Sequence, residues 1–287
     1  VNGVGWSAAD AILGQGVTFL VGIVLARLLS PTEYGLIGII SIFIVVLNGV
    51  VDSGFSNAII RKQDTTNDDY NTMFFTNLGF SLLLYVGLYF SAPAIATFFG
   101  REELVALTRA MDRILIINAL SIIQVTILTK SVDFKTKTKA SLTSAVISGF
   151  IGIILAYCGY GVWSLVAQQI TKQLLYTLCL WVLNKWVPTL KFSLQSFKYM
   201  WGFGWKMLLS GLLDRVWQQA YQIVVGKFYS PSTLGQYTKS KEYASLFSTS
   251  INSIVMKVSF PVLSAIQEDL SRMVSAYRRI IKQTMFV

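Results

Sequence analysis

Between Phe203 and Tyr229 the sequence places Lys206, Ser210, Asp214, Gln218 and Gln222 four residues apart, with Arg215 and Gln219 alongside. Four-residue spacing stacks side chains on one face of a helix. The rest of the circumference is apolar, with Leu208, Leu209, Leu212, Leu213, Val216, Ile223 and Val224. Ammonium and guanidinium groups hold oxyanions, amides and hydroxyls suit a polyol, and a carboxylate in a low-dielectric site titrates near physiological pH. A second polar set, Gln168, Gln169, Lys172 and Gln173, falls in another apolar run.

These groups must sit in a membrane. Apolar residues make up 54% of the 287 and charged residues 13%, against roughly 25% charged in an average soluble domain. The mean hydropathy is +0.58. A membrane span needs roughly 20 mostly apolar residues, and the pattern predicts spans 1 to 8 at about 7–29, 34–60, 71–98, 104–129, 139–158, 162–184, 203–229 and 234–260. Residues 262–281 read as an interfacial amphipathic helix, or else as a soluble helical segment. An ionisable group at mid-bilayer costs about 3 kcal/mol on insertion scales, so the polar faces should turn toward a partner helix or a wet cavity. The plainer reading is that the amides and hydroxyls hold helices together by hydrogen bonds, that Asp214 pairs with a nearby cation, and that Lys239 pairs with Glu242 at i, i+3.

One stretch occurs twice. Ile23–Gly35 (IVLARLLSPTEYG) and Ile223–Gly235 (IVVGKFYSPSTLG) are offset by 200 positions without a gap. In each, one apolar helix ends and another starts with Ser at the N-cap and Pro at the first helical position; Glu33 completes a capping box on Ser30. The offset sets span 7 on span 1 and span 8 on span 2, the arrangement of parallel repeats related by an axis near the membrane normal. Most lysines and arginines fall in the connections 2–3, 4–5, 6–7 and 8–9, which predicts that these and the amino terminus are cytoplasmic. The basic excess is thereby a topological signal, and no nucleic-acid partner is expected. With no histidine and only Cys158 and Cys179, the sequence offers no metal centre, and it suggests no cofactor and no catalytic group.

The expected architecture is an all-α polytopic membrane protein of two parallel six-helix lobes. Residues 1–184 form the first lobe, 185–198 a cytoplasmic linker, and 199–287 the start of an incomplete second lobe, with spans 7 and 8, the amphipathic helix and the start of a ninth span. The cations Lys172, Lys206, Arg215, Lys239 and Lys241 face the carboxylates Asp10, Asp52, Asp214 and Glu242. This surplus favours an anionic head group, for which a membrane-borne diphosphate is the leading candidate. By location, Lys172, Lys206 and Arg215 attract the diphosphate, with Lys239 and Lys241 nearer the rim. Gln168, Gln218, Gln219 and Gln222 would contact sugar, and Asp10, Asp52 and Asp214 are candidates for ion coupling or gating.

Four strings, Ala26–Gly38 (ARLLSPTEYGLIG), Ala92–Leu104 (APAIATFFGREEL), Gly159–Ile170 (GYGVWSLVAQQI) and Val225–Tyr237 (VGKFYSPSTLGQY), resemble the polysaccharide transporter family of lipid-linked oligosaccharide flippases. That family includes the O-antigen (Wzx-type) and colanic-acid-type exporters of the multidrug/oligosaccharidyl-lipid/polysaccharide (MOP) superfamily. The resemblance implies a multi-pass protein of the bacterial inner membrane that moves an undecaprenyl-diphosphate-linked glycan to the periplasmic leaflet by alternating access. Its implied partners are that glycan, membrane lipids and other polysaccharide-assembly proteins. Members usually have 12 to 14 spans, which implies further helices beyond this sequence. Two other classes stay open: a multidrug or small-cation antiporter of the same superfamily, and a membrane glycosyltransferase or polymerase, for which Asp68 and Asp69 are the nearest thing to paired catalytic carboxylates.

Overall fold

The computed structural model describes residues 14–52, 54–131, 133–244 and 278. All regular structure among them is helical: α1 (Gln15–Leu28), α2 (Pro31–Asp52), α3 (Phe55–Arg61), α4 (Asn67–Phe99), α5 (Glu103–Met111), α6 (Arg113–Lys130), α7 (Phe134–Tyr157), α8 (Val162–Leu183), α9 (Leu194–Phe228) and α10 (231–244). The stretches Pro31–Arg61, Asn67–Phe99, Glu103–Lys130 and Phe134–Tyr157 are long and apolar enough to cross a membrane. The expected amphipathic helix, Asp10 and the rest of span 8 lie outside the described residues.

Several boundaries differ from the sequence expectation: span 4 is divided at Asp112 and span 5 begins at Phe134, and three further differences have visible causes. Span 2 is broken into α2 and α3 by Gly54, whose φ of 68° is left-handed; a methyl group there would lie 2.8 Å from the Gly204 carbonyl oxygen of α9. Close helix approach and backbone conformation therefore both require glycine. Span 3 begins earlier, at Asn67, because Thr66 and Asp69 cap it reciprocally. Span 7 begins at Leu194 rather than near Phe203, because the Ser193 hydroxyl accepts the Ser196 N–H at 3.2 Å.

The helices alternate between two ends. At one end, here the Ser-Pro end, the α1–α2 turn meets the α7–α8 turn through Glu33 and Gly161, and the Lys227 ammonium of α9 donates to the Phe98 carbonyl at the end of α4. At the opposite, linker end, the Lys130 ammonium reaches the Ile59 carbonyl at 3.2 Å. The main apolar core joins α1, α2, α4, α5, α6 and α8 through residues such as Leu25, Ile40, Leu104 and Leu115. α7 packs most extensively on α8, while α9 lies first against α2 and then α3 and α4.

The 184–193 connection is docked rather than free. The Asn71 amide donates to the Thr189 hydroxyl at 2.7 Å and its carbonyl accepts the Thr189 N–H at 2.9 Å. The Thr72 hydroxyl accepts the Ser193 N–H at 2.9 Å, and the Trp186 indole donates to Asn67 at 2.8 Å. Asn71 and Thr72 are both fully buried.

Candidate functional site

Ser30 caps α2 as its sequence predicts: its backbone N–H donates to the Glu33 carboxylate at 2.6 Å, and its hydroxyl accepts the Glu33 N–H at 3.4 Å. The second copy uses Thr233, whose N–H donates to the Ser230 hydroxyl at 3.2 Å. The two copies meet. A methyl group at Gly35 would overlap the Pro231 carbonyl oxygen, and one at Gly235 would overlap the Pro31 carbonyl oxygen. The contact is reciprocal, as a pseudo-twofold relation between repeats demands. One turn further along, a Cβ at Gly38 would lie 2.9 Å from the Thr238 hydroxyl, again a pair at the 200-residue offset.

Behind this crossing lies a cavity of about 470 Å³ bounded by α1, α2, α6, α8 and α10. It gathers Lys172 and Gln168 from α8, Tyr34 and Ser41 from α2, and Lys239 and Glu242 from α10. Lys172 keeps accessible surface because it opens into this space. Lys239 is held twice, by the Glu242 carboxylate at 2.7 Å and over the Tyr34 ring at 4.4 Å from its centre. A cation over an aromatic face is attracted by the ring quadrupole. The i, i+3 pairing expected for Lys239 and Glu242 is thus present. Two lysines against one carboxylate leave the described wall with a cationic surplus.

A second, smaller cavity of about 310 Å³ between α2 and α9 is lined by Asp52, Asp214 and Arg215. The Arg215 guanidinium donates to the Val45 carbonyl at 3.2 Å and lies in a groove that Gly49 opens, since a Cβ there would be 2.6 Å from Nη1. Asp214 accepts the Gln218 amide at 2.8 Å. The Asp52 carboxylate accepts the Ser56 hydroxyl at 2.6 Å, which in turn accepts the Thr126 hydroxyl at 3.1 Å.

The sequence-predicted residues therefore divide. Lys172, Lys239 and Gln168 share the larger cavity, and Arg215, Asp214 and Asp52 share the smaller. Lys206 lines neither and is exposed. Lys241 turns from the cavity to donate to the Gln218 carbonyl at 2.8 Å. On the α9 face Gln222 is buried, and the side-chain amide oxygen of Gln219 is buried without a hydrogen-bond partner among the described residues. Asp68 and Asp69 separate too: Asp68 is exposed, while Asp69 is fully buried in an ion pair with Lys62 at 2.7 Å and in the α4 cap. That arrangement uses Asp69 structurally and provides no facing pair of carboxylates.

Two residues were not picked out from sequence. The Tyr34 and Thr238 hydroxyls are both buried and lack a hydrogen-bond partner among the described residues, although both side chains line the larger cavity. Thr238 could have been found through the repeat, which sets it on Gly38. Asn118, likewise unremarked, donates to Asn48 at 2.8 Å and accepts from Gln173 at 3.2 Å, tying α2, α6 and α8 together below the cavity. Among the described residues no cluster of histidine, cysteine or carboxylate side chains could hold a metal ion.

Comparison with known proteins agrees with this architecture. The chain is similar to the succinoglycan biosynthesis transport protein ExoT of Rhizobium meliloti (strain 1021), at 26% identity over 94% of this chain and 54% of that protein. It is 30% identical to the teichuronic acid biosynthesis protein TuaB of Bacillus subtilis (strain 168), over 92% of this chain and 55% of that protein. It is 20% identical to the lipopolysaccharide biosynthesis protein WzxC of Escherichia coli (strain K12), over 95% of this chain and 56% of that one. The chain spans about half the length of these curated relatives. Among solved structures, it superposes on the inward-facing conformation of a multidrug resistance MATE family transporter of the MOP superfamily with a TM-score of 0.65, at 18% identity, over 96% of this chain and 66% of that one. A MOP superfamily transporter from Pyrococcus furiosus gives a TM-score of 0.60 at 18% identity, over 98% and 68% of the two chains. At such identities the likeness shows the fold, that of a multi-pass, all-helical MOP transporter. Residues 24–287 match the polysaccharide biosynthesis protein family, and the chain belongs to that family.

Proposed function

We propose that this chain forms the first lobe, the linker and the opening helices of the second lobe of a flippase for lipid-linked oligosaccharides. In this reading an undecaprenyl-diphosphate-linked repeat unit passes from the cytoplasmic to the periplasmic leaflet of the bacterial inner membrane by alternating access. The linker end is cytoplasmic and the Ser-Pro end periplasmic, consistent with the concentration of lysine and arginine in the linker-end connections. The names of the relatives, which include a succinoglycan transport protein, support a glycan as cargo.

The observation that carries the reading is the cavity of about 470 Å³ in which Lys172 and Lys239 outnumber Glu242. Two ammonium groups attract a diphosphate and bind its oxygens by charge-assisted hydrogen bonds. Gln168, Gln169 and Gln173 on the same wall offer amides of both polarities to sugar hydroxyls. Arg215 and Lys206 extend the cationic path along α9, with Gln218, Gln219 and Gln222 as further sugar contacts. Asp10, Asp52 and Asp214 stand as coupling groups.

The test is complementation of a host lacking its own exporter. Lys172→Ala and Arg215→Ala should each abolish surface polysaccharide while the protein remains in the membrane at parental level. Full export by both variants would sink the assignment. The antiporter reading has one observation in its favour, the carboxylate-lined smaller cavity between α2 and α9. Uptake of a cationic dye that depends on Asp214, with no effect on polysaccharide, would decide for it.

A further inference from the structure

Behind the crossing of the two Ser-Pro repeats, unpaired polar groups from both lobes converge. Tyr34, on α2 of the first lobe, is 7% exposed, and its buried hydroxyl has no hydrogen-bond partner among the described residues. Thr238, on α10 of the second lobe, has a buried hydroxyl in the same condition and packs against Gly38 of α2. Lys239, next in sequence, projects over the Tyr34 ring. All three line the same cavity, with Lys172 on its α8 wall. Leaving a hydroxyl buried and unpaired costs free energy, so such groups in a polar cavity mark a place where a ligand supplies the missing bonds.

We propose that Tyr34, Thr238 and Lys239 form a phosphoryl-binding site split across the crossing of the Ser-Pro repeats, which opening of that crossing dismantles. Two hydroxyl donors and an ammonium group suit the oxygens of a phosphate, which accept only. Glu242 is the opposing charge: the ligand shares Lys239 with it, and Lys172 restores the cationic balance. Because the donors belong to different lobes, the full set exists only while the Gly35–Pro231 and Gly235–Pro31 contacts are closed. A ligand held by all three stabilises the closed crossing, and by the same linkage an open crossing releases the ligand. This deepens the flippase reading and rests on it for the identity of the cargo; the split site itself does not need it.

The test uses the purified protein in nanodiscs with inorganic diphosphate as probe. Thr32 and Gln236 are exposed on the two hairpins; Thr32→Cys and Gln236→Cys, in a Cys158→Ser/Cys179→Ser background, carry spin labels for distance measurement. Diphosphate is expected to shift the distribution toward the short, closed distance. Tyr34→Phe, which keeps the ring, and Thr238→Val are each expected to weaken diphosphate binding about tenfold, as for loss of a charge-assisted hydrogen bond. Unchanged binding in both variants, or a shift to long distances with diphosphate, overturns the proposal. Farnesyl diphosphate separates the sources of the phosphate: tighter binding than inorganic diphosphate assigns the site to a lipid-linked ligand, and the reverse order assigns it to a free anion. Neither measurement involves a glycan. If both behave as expected while the protein fails to export polysaccharide, the flippase reading falls and the split site stands.

Discussion

The two ends of the molecule are joined in different ways. At the linker end, side chains of α4 hold the 184–193 connection by directed hydrogen bonds: Asn71 pairs with the hydroxyl and the N–H of Thr189, and Thr72 takes the N–H of Ser193. At the Ser-Pro end, α2 and α10 touch through backbone against glycine, at Gly35 and Gly235, beside the Lys227 ammonium on the Phe98 carbonyl, and the hydroxyls of Tyr34 and Thr238 have no hydrogen-bond partner among the described residues. Directed bonds fix a geometry. Close packing against glycine allows approach without requiring it, and the directed bond between side chain and backbone at this end is that of Lys227 with the Phe98 carbonyl. In the alternating-access reading proposed above, the first end would serve as the pivot and the second as the contact that separates.

The largest expected effect comes from forcing the separable end apart. Gly35→Leu places a branched side chain where the Pro231 carbonyl lies, and is expected to eliminate the short distance between labels at positions 32 and 236 and to abolish export. A closed-distance population equal to that of the parent would show that the glycine is incidental. Next come disruptions of the linker end. Lys62→Ala leaves the fully buried Asp69 without its cation, and is expected to destabilise the protein by about 3 kcal/mol, read as a lowered melting temperature in detergent. Asn71→Ala strands the Thr189 N–H and is expected to cost about 2 kcal/mol. If the linker end is the pivot, limited proteolysis within 184–193 should also rise in this variant, and unchanged protease resistance would place the pivot elsewhere.

The smallest effect concerns a cap at the linker end that touches no inter-lobe contact. Asp133 accepts the Thr136 hydroxyl at 2.7 Å and the Thr136 N–H at 3.1 Å, and these hydrogen bonds hold its carboxyl below the usual carboxylate range. A folded-state value below the unfolded one means that this contribution is fully present above the ordinary value of about 3.9 and fades as pH falls through the lower folded value. Asp133→Ala is expected to cost about 1 kcal/mol near neutral pH, with the difference from the parent vanishing in strong acid. A constant difference across that range would refute the cap.

The Ser-Pro repeat was legible because it is local: cap, proline and glycine are read from adjacent positions, and the 200-residue offset carries Gly35 onto Gly235 and Gly38 onto Thr238. The stripe on α9 was legible as a face but not as a destination. Four-residue spacing puts Lys206, Asp214 and Gln218 on one side of a helix, whereas the rotation of that helix depends on tertiary matches with no local signature, such as the fit of Arg215 into the groove at Gly49. The break at Gly54 has a local trace, since Asp52, Ser53 and Gly54 interrupt the apolar run there, but its left-handed φ and the approach of Gly204 are visible only in the structure. Tyr34 escaped notice because an aromatic residue just inside a span reads as an interfacial anchor, and the cavity it lines is closed by α10, about 200 residues away in sequence.

The docked linker also bears on how the protein is made. Asn67, Asn71 and Thr72 precede the segment they bind, and Ser193, which the last of them holds, caps α9. The groups that fix where α9 starts, and the cap on its first turn, therefore all precede α9 in the chain. The start of α9 thus meets partners that are already in the chain when it is made.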